Sequence, residues 1–161
     1  MKKILKIVST ASLALGLFVS GAQAGNNDLM FNDPWIRGSV PGQKNGAGYV
    51  QITNSSTSPT ALTSVRSDRA NRVELHTIVR EDGVAKMREV KQIDVPASGS
   101  VTLKPGGFHI MFIGLKTPFN PGEAIPLQLN FANGDVAQVV FTVKSATFMK
   151  SSGGQHKKMA H

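Results

Sequence analysis

The sequence has 161 residues, of which 40% are hydrophobic, and this length and composition fit one globular domain. It contains no cysteine, which excludes disulfides, thiol chemistry, a blue-copper centre with its Cys ligand, and the lipid-modified cysteine of bacterial lipoproteins. The net charge is +8, but the basic residues are scattered in runs of two at most, so no nucleic-acid partner is predicted.

Residues 1–24 have the features of a cleaved secretory signal. Three lysines among the first six residues precede an apolar run (7–19), and the Ala-Gln-Ala triplet at 22–24 predicts cleavage before Gly25. The apolar run is too short for a membrane span, and no other segment approaches the ~20 apolar residues that a spanning helix needs. We therefore expect a soluble periplasmic protein without stable membrane insertion, whose net charge falls from +8 to +5 on cleavage because only the three lysines are lost.

After Gly25 the chain consists of short β-type runs separated by turn signals, and no long segment shows helical periodicity. This pattern predicts an all-β sandwich or barrel over residues 25–146, followed by a flexible tail over 147–161. Pro34 indicates an edge or a bulge in the first strand, and residues 67–71 fit either a turn or a single helical turn. The predicted strands are 30–37, 46–53, 61–66, 73–80, 84–90, 93–95, 101–103, 108–113, 125–131 and 136–143.

One predicted hairpin contains two potential metal ligands. Asp82-Gly83 between two β-type runs is a strong signal for a two-residue turn. Such a turn pairs Ile78 with Met87 and places His76 and Met87 on one face as a diagonal pair, roughly 7–8 Å apart between backbones. A loop of odd length would put them on opposite faces.

A second pair of potential ligands lies on one predicted strand, residues 108–113. Because side chains alternate along a strand, His109 and Met111 share one face, and Phe108, Ile110 and Phe112 share the other. The apolar face should pack on the core. We therefore expect His109 and Met111 at the surface or rim of the sandwich.

These four side chains together favour copper(I). Imidazole nitrogen and thioether sulfur suit Cu(I), whereas Mg²⁺ and Ca²⁺ prefer oxygen ligands and zinc normally takes its sulfur from a Cys thiolate. Taken singly, a methionine in a strand is usually core filler and a histidine is usually a surface residue. Their combination suggests the hypothesis of one Cu(I) site formed by His76, Met87, His109 and Met111, beside the alternative that they are ordinary core and surface residues.

The spacing of the four residues resembles the pattern of the periplasmic copper chaperones called PCu(A)C: His, ten residues, Met, twenty-one residues, His, one residue, Met. The resemblance covers about residues 35–143. It extends to the segments 34–37 (Pro-Trp-Ile-Arg), 73–76 (Val-Glu-Leu-His), 86–88 (Lys-Met-Arg) and 103–111 (Leu-Lys-Pro-Gly-Gly-Phe-His-Ile-Met).

The resemblance implies a cupredoxin-like Greek-key β-sandwich that carries Cu(I), without enzymatic activity, towards the copper centre of a respiratory oxidase. Its expected partners are copper and a copper-accepting protein, either an oxidase subunit or another chaperone, and the expected state is a monomer. Ile78 and Ile113 stand where relatives often add a methionine, so an auxiliary thioether is missing.

Other functions stay open from the sequence alone. An envelope copper buffer without a dedicated acceptor fits the same residues, whereas a copper enzyme acting on O₂ fits less well because two thioethers favour Cu(I). The short tail could form a weak second site, for Cu(II), through His156, Met159 and His161.

Overall fold

The structure is a computed structural model, and it describes residues 28–148. Every regular element in this range is a β-strand, which confirms the predicted all-β class. No helix in the range is long and apolar enough to cross a membrane. The predicted signal segment and the tail residues His156, Met159 and His161 lie outside the described residues.

The ten strands described are β1 (Leu29–Arg37), β2 (Asn45–Asn54), β3 (Thr60–Arg66), β4 (Ala70–Glu81), β5 (Val84–Glu89), β6 (Ile93–Val95), β7 (Gly99–Thr102), β8 (His109–Leu115), β9 (Ala124–Phe131) and β10 (Val136–Lys144).

The strands form one mixed sheet in the order β5-β4-β8-β2-β1-β10-β9-β3-β6, and β7 also pairs with β2. Only the pairing of β1 with β10 is parallel among these strands. β2 pairs with β8 through residues 45–48 and with β7 through residues 51–54. Buried residues from both ends of the sheet belong to a single hydrophobic cluster, so the sheet folds over on itself and encloses the core.

The core follows the alternation expected for half-buried strands. Ile110 and Phe112 of β8 are fully buried, as are Leu127 and Leu129 of β9. Leu75 of β4, a direct partner of Ile110, contributes to the same cluster. The core face of β4 and β8 is therefore set, and their polar residues point to the opposite face of the sheet.

Local irregularities match two of the sequence predictions. The pairing of β1 with β2 shifts register between Asn32 and Trp35, which is the bulge that Pro34 predicts. Residues 67–69 form a turn, not a helical turn. β4 begins at Ala70, three residues earlier than predicted, because Ala70 pairs with Leu115 of β8.

The β4–β5 hairpin has the predicted register. Ile78 pairs with Met87, and Asp82 and Gly83 form the two-residue turn with φ values of 52° and 79°. Positive φ at both positions is the geometry that makes Asp-Gly favourable in tight hairpins, since glycine has no Cβ to clash. The diagonal relation of His76 to Met87 follows from this register.

Candidate metal centre

Pairing between β4 and β8 brings the two histidines together. His76 is the direct partner of His109, and Glu74 is the direct partner of Met111. The imidazole ring centroids of the two histidines are 5.8 Å apart. Since Ile110 and its partner on β4 point into the core, His76, His109 and Met111 lie together on the outer face of the sheet.

Met87 reaches the same region from the edge strand β5. It lines a concave surface cavity of about 340 Å³ together with Ile78, His109 and Met111. His76 does not line the cavity, but it stands beside His109 through their direct pairing. The structure thus gathers all four predicted residues at one place, although they come from three strands.

The degree of exposure differs from the sequence expectation. His109 is only 4% exposed, so its expected position at the surface or rim is wrong, whereas Met87 is 50% exposed. His109 is covered because a second layer of aromatic residues packs on the outer face of the sheet. The ring of Tyr49 lies 6.5 Å from the His109 ring, and Trp35 lies 4.4 Å from Tyr49.

His109 has one ring nitrogen occupied and one without a partner. Its Nδ1–H donates to the backbone carbonyl of Gly107 at 3.0 Å, which leaves Nε2 as the atom with a lone pair. Nε2 is buried and has no hydrogen-bond partner. Burial, together with the nearby charge of His76, lowers the pKa of His109 below its usual range, although the bond to Gly107 opposes the shift. The imidazole is therefore held neutral.

His76 shows the complementary arrangement. Its Nε2–H donates to Glu74 Oε2 at 2.9 Å, and its buried Nδ1 has no hydrogen-bond partner. Glu74 is itself held by Arg72, with 3.3 Å between Oε1 and the guanidinium. Histidines that bind metals commonly donate their other N–H to a carboxylate or a carbonyl, which fixes the ring and its tautomer. Both histidines fit that pattern.

The donor set fits a soft metal ion. Buried imidazole nitrogens without partners are costly unless something else satisfies them, and a metal ion would do so. Within residues 28–148, no group of three or more His, Cys, Asp or Glu side chains could hold a metal ion. The thioethers of Met87 and Met111 are the soft donors available beside the two histidines, and thioethers favour Cu(I) over zinc.

Sequence reasoning missed two features of this region. Glu74 lies two residues before His76, which places both side chains on one face of β4. Trp35 and Tyr49 are buried but lie outside the main core cluster, and Phe148 covers Trp35 with a ring distance of 5.0 Å.

The fold and site define an all-β, cupredoxin-like domain with a candidate soft-metal centre on its outer face. The chain belongs to the family described as "Putative lipoprotein LpqE-like", whose model matches residues 29–143. The family description names a lipoprotein, whereas this sequence has no cysteine to which a lipid could be attached.

Two other proteins are similar to this chain in sequence. "Putative lipoprotein Lxx21020" of Leifsonia xyli subsp. xyli is 29% identical over 88% of this chain and 90% of its own length. "Uncharacterized protein RP573" of Rickettsia prowazekii is 32% identical over 72% of this chain, which spans 65% of that relative's length.

Solved structures confirm the resemblance to PCuAC domains. The solution structure of CuI-DR1885 from Deinococcus radiodurans is 30% identical, covers 78% of this chain and 83% of its own, and has a TM-score of 0.61. The copper-bound PCuAC domain from PmoF2 has a TM-score of 0.63 at 22% identity, with 73% and 93% coverage, and supports the fold alone.

The lowered pKa of His109 predicts how folding depends on pH. The unfolded chain binds a proton at His109 near pH 6.5, whereas the folded protein does so only at lower pH. The unfolded state therefore binds more protons as pH falls below about 6.5, and the free energy of unfolding should decrease there. Urea unfolding of copper-free protein between pH 7 and pH 5 measures this loss.

The matched control is His109→Gln, which keeps a polar side chain but cannot titrate. Its free energy of unfolding should lose less between pH 7 and pH 5 than that of the unaltered protein. Equal losses in the two proteins would contradict the lowered pKa. An NMR titration of the His109 imidazole that gave a pKa at or above the ordinary value for histidine would also contradict it.

Proposed function

We propose that this protein is a non-enzymatic periplasmic Cu(I) carrier whose ligands are His76, Met87, His109 and Met111. The observation that carries the proposal is the pair of buried, unpartnered imidazole nitrogens, Nδ1 of His76 and Nε2 of His109, beside two thioethers. Similarity to CuI-DR1885, a Cu(I)-bound protein 30% identical to this chain, supports copper as the metal.

The site combines rigid and accessible donors. The two imidazoles are oriented by hydrogen bonds to Glu74 and Gly107, so little ordering is needed when copper binds. Met87 is on an edge strand and is half exposed. An incoming ligand from another molecule can therefore replace Met87 first, and this stepwise exchange passes Cu(I) on without releasing it into solvent.

Copper titration tests the ligand assignment. Copper-free protein should bind one Cu(I) ion tightly in competition with a Cu(I) chelator. His109→Ala should weaken binding most, since a buried and preorganised donor is lost, and Met87→Ala should weaken it less. The double variant His109→Ala, Met111→Ala should no longer hold the ion.

The control is Met30→Ala, which removes a methionine of similar exposure on β1 that does not line the cavity. It should bind Cu(I) like the unaltered protein. Tight binding that survives in the double variant, or an equal loss in the Met30→Ala protein, would reject the site.

Glu74 should tune copper affinity without touching the ion. Glu74→Leu removes the acceptor of the His76 Nε2–H bond, so the ring loses its fixed tautomer and orientation, and the Cu(I) dissociation constant should rise by about 10- to 100-fold. Glu74→Gln keeps an acceptor oxygen and should lose less. Chelator competition measures both variants, and equal affinity in the Glu74→Leu protein and the unaltered protein would contradict this role.

A copper carrier has a dedicated acceptor protein, whereas the alternative function, an envelope copper buffer, has none. We propose an acceptor at the copper centre of cytochrome c oxidase. Rapid mixing of the Cu(I)-loaded protein with an isolated oxidase copper domain should show faster transfer than from a small Cu(I) chelate of equal affinity. A rate no faster than that of the chelate would favour the buffer.

A second copper site in the C-terminal tail is a separate proposal. His156, Met159 and His161 supply imidazole and thioether donors that could hold Cu(II) weakly. In the titration above, such binding would add a second, weaker copper equivalent that is lost when residues 151–161 are removed, while the tight Cu(I) ion stays.

A further inference from the structure

The cavity beside the candidate metal centre is also lined by polar residues that the proposed copper site does not use. Arg37 and Tyr49 line it together with Met87, His109 and Met111. Its volume of about 340 Å³ is at the small end of the range of roughly 300–1,000 Å³ found for ligand sites.

Arg37 brings an uncompensated positive charge to this cavity. Its Nε is buried without a hydrogen-bond partner, and no carboxylate among residues 28–148 forms an ion pair with its guanidinium. By contrast, Arg69 pairs with Glu123 at 3.0 Å, and Arg88 pairs with Glu81 at 2.8 Å. A partly buried guanidinium without an acceptor is well suited to bind an anion.

Tyr49 supplies a second donor to the same cavity. Trp35 pairs with Tyr49 across β1 and β2, and Arg37 follows two residues later on the same face of β1. A phenol is protonated at neutral pH, so the Tyr49 hydroxyl can donate a hydrogen bond. Arg37 and Tyr49 therefore add donors to a lining that also includes the amides of Gln43 and Asn45 and the apolar side chains of Ile78 and Met87.

We propose that this cavity binds a small organic carboxylate of about amino-acid size. Arg37 pairs with the carboxylate, because a guanidinium matches its two oxygens in a bidentate geometry. Ile78 and Met87 contact the apolar body of the ligand. Binding requires no copper. If the proposed function holds, the bound carboxylate lies against the copper donors and limits access to them.

N-Acetyl-leucine and its neutral amide are matched probes that differ only in the carboxylate. Copper-free protein with ¹³C-labelled methionine methyl groups allows each probe to be followed by NMR. The signals of Met87 and Met111 should shift saturably with N-acetyl-leucine, whereas the signal of Met30, outside the cavity, should not. The amide should bind at least about tenfold more weakly, since it cannot form the ion pair.

Two variants of equal charge test the residue. Arg37→Gln should weaken N-acetyl-leucine binding by at least about tenfold, whereas Arg66→Gln removes the same charge from an exposed position on β3 and should change it little. Equal affinity for acid and amide, equal affinity in the two variants, or no saturable shift would overturn the proposal. If Arg37→Gln fails to fold, the comparison of acid and amide on the unaltered protein still tests the proposed carboxylate site. A failed Cu(I) titration would reject the proposed copper site without affecting this comparison.

Discussion

The register between β4 and β8 is the constraint on which the candidate metal centre depends. It places His76 directly opposite His109 and Glu74 directly opposite Met111. A slip of one residue would turn one member of each pair into the core, because successive side chains point to opposite faces. The register is strongly specified, since Leu75 and Ile110 must both stay in the hydrophobic core. The packing of the core thus fixes the spacing of the donors on the other face.

The outer face of the sheet provides an environment that an ordinary solvated face lacks. Trp35, Tyr49 and Phe148 form a chain of ring contacts that leads towards His109. This cover removes water from the imidazole, keeps it neutral and leaves Nε2 without a competing partner. A buried lone pair is costly for the copper-free protein, and the bound ion would relieve that cost. Stability and metal affinity are therefore linked at His109.

Local sequence signals were sufficient for part of this arrangement. Asp82-Gly83 defines the hairpin that brings Met87 to His76, and strand alternation places His109 with Met111. Both relations lie within one hairpin or one strand. The pairing of β4 with β8 joins residues that are between 33 (His76 and His109) and 45 (Ala70 and Leu115) positions apart, and no local pattern specifies it. The resemblance implied only that the four residues share one site, and it did not predict this pairing of strands.

Burial on the outer face could not be inferred from alternation either. Period-two patterns distinguish two faces, and His109 was expected at the surface because its neighbours Ile110 and Phe112 belong to the core. The ring beside His109 is that of Tyr49 on β2, and Tyr49 is in turn packed against Trp35 of β1; both are distant from His109 in sequence. The hydrogen bond from His76 to Glu74 could be predicted from the sequence, since the two residues are separated by one position on a strand and so share a face.

The central claim is that two imidazoles and two thioethers hold one Cu(I) ion on the outer face of the sheet. X-ray absorption spectroscopy of the Cu(I)-loaded protein measures the ligand types and oxidation state directly. We predict a Cu(I) edge and a first shell of two nitrogen and two sulfur scatterers. A first shell with nitrogen and oxygen scatterers alone would contradict the claim.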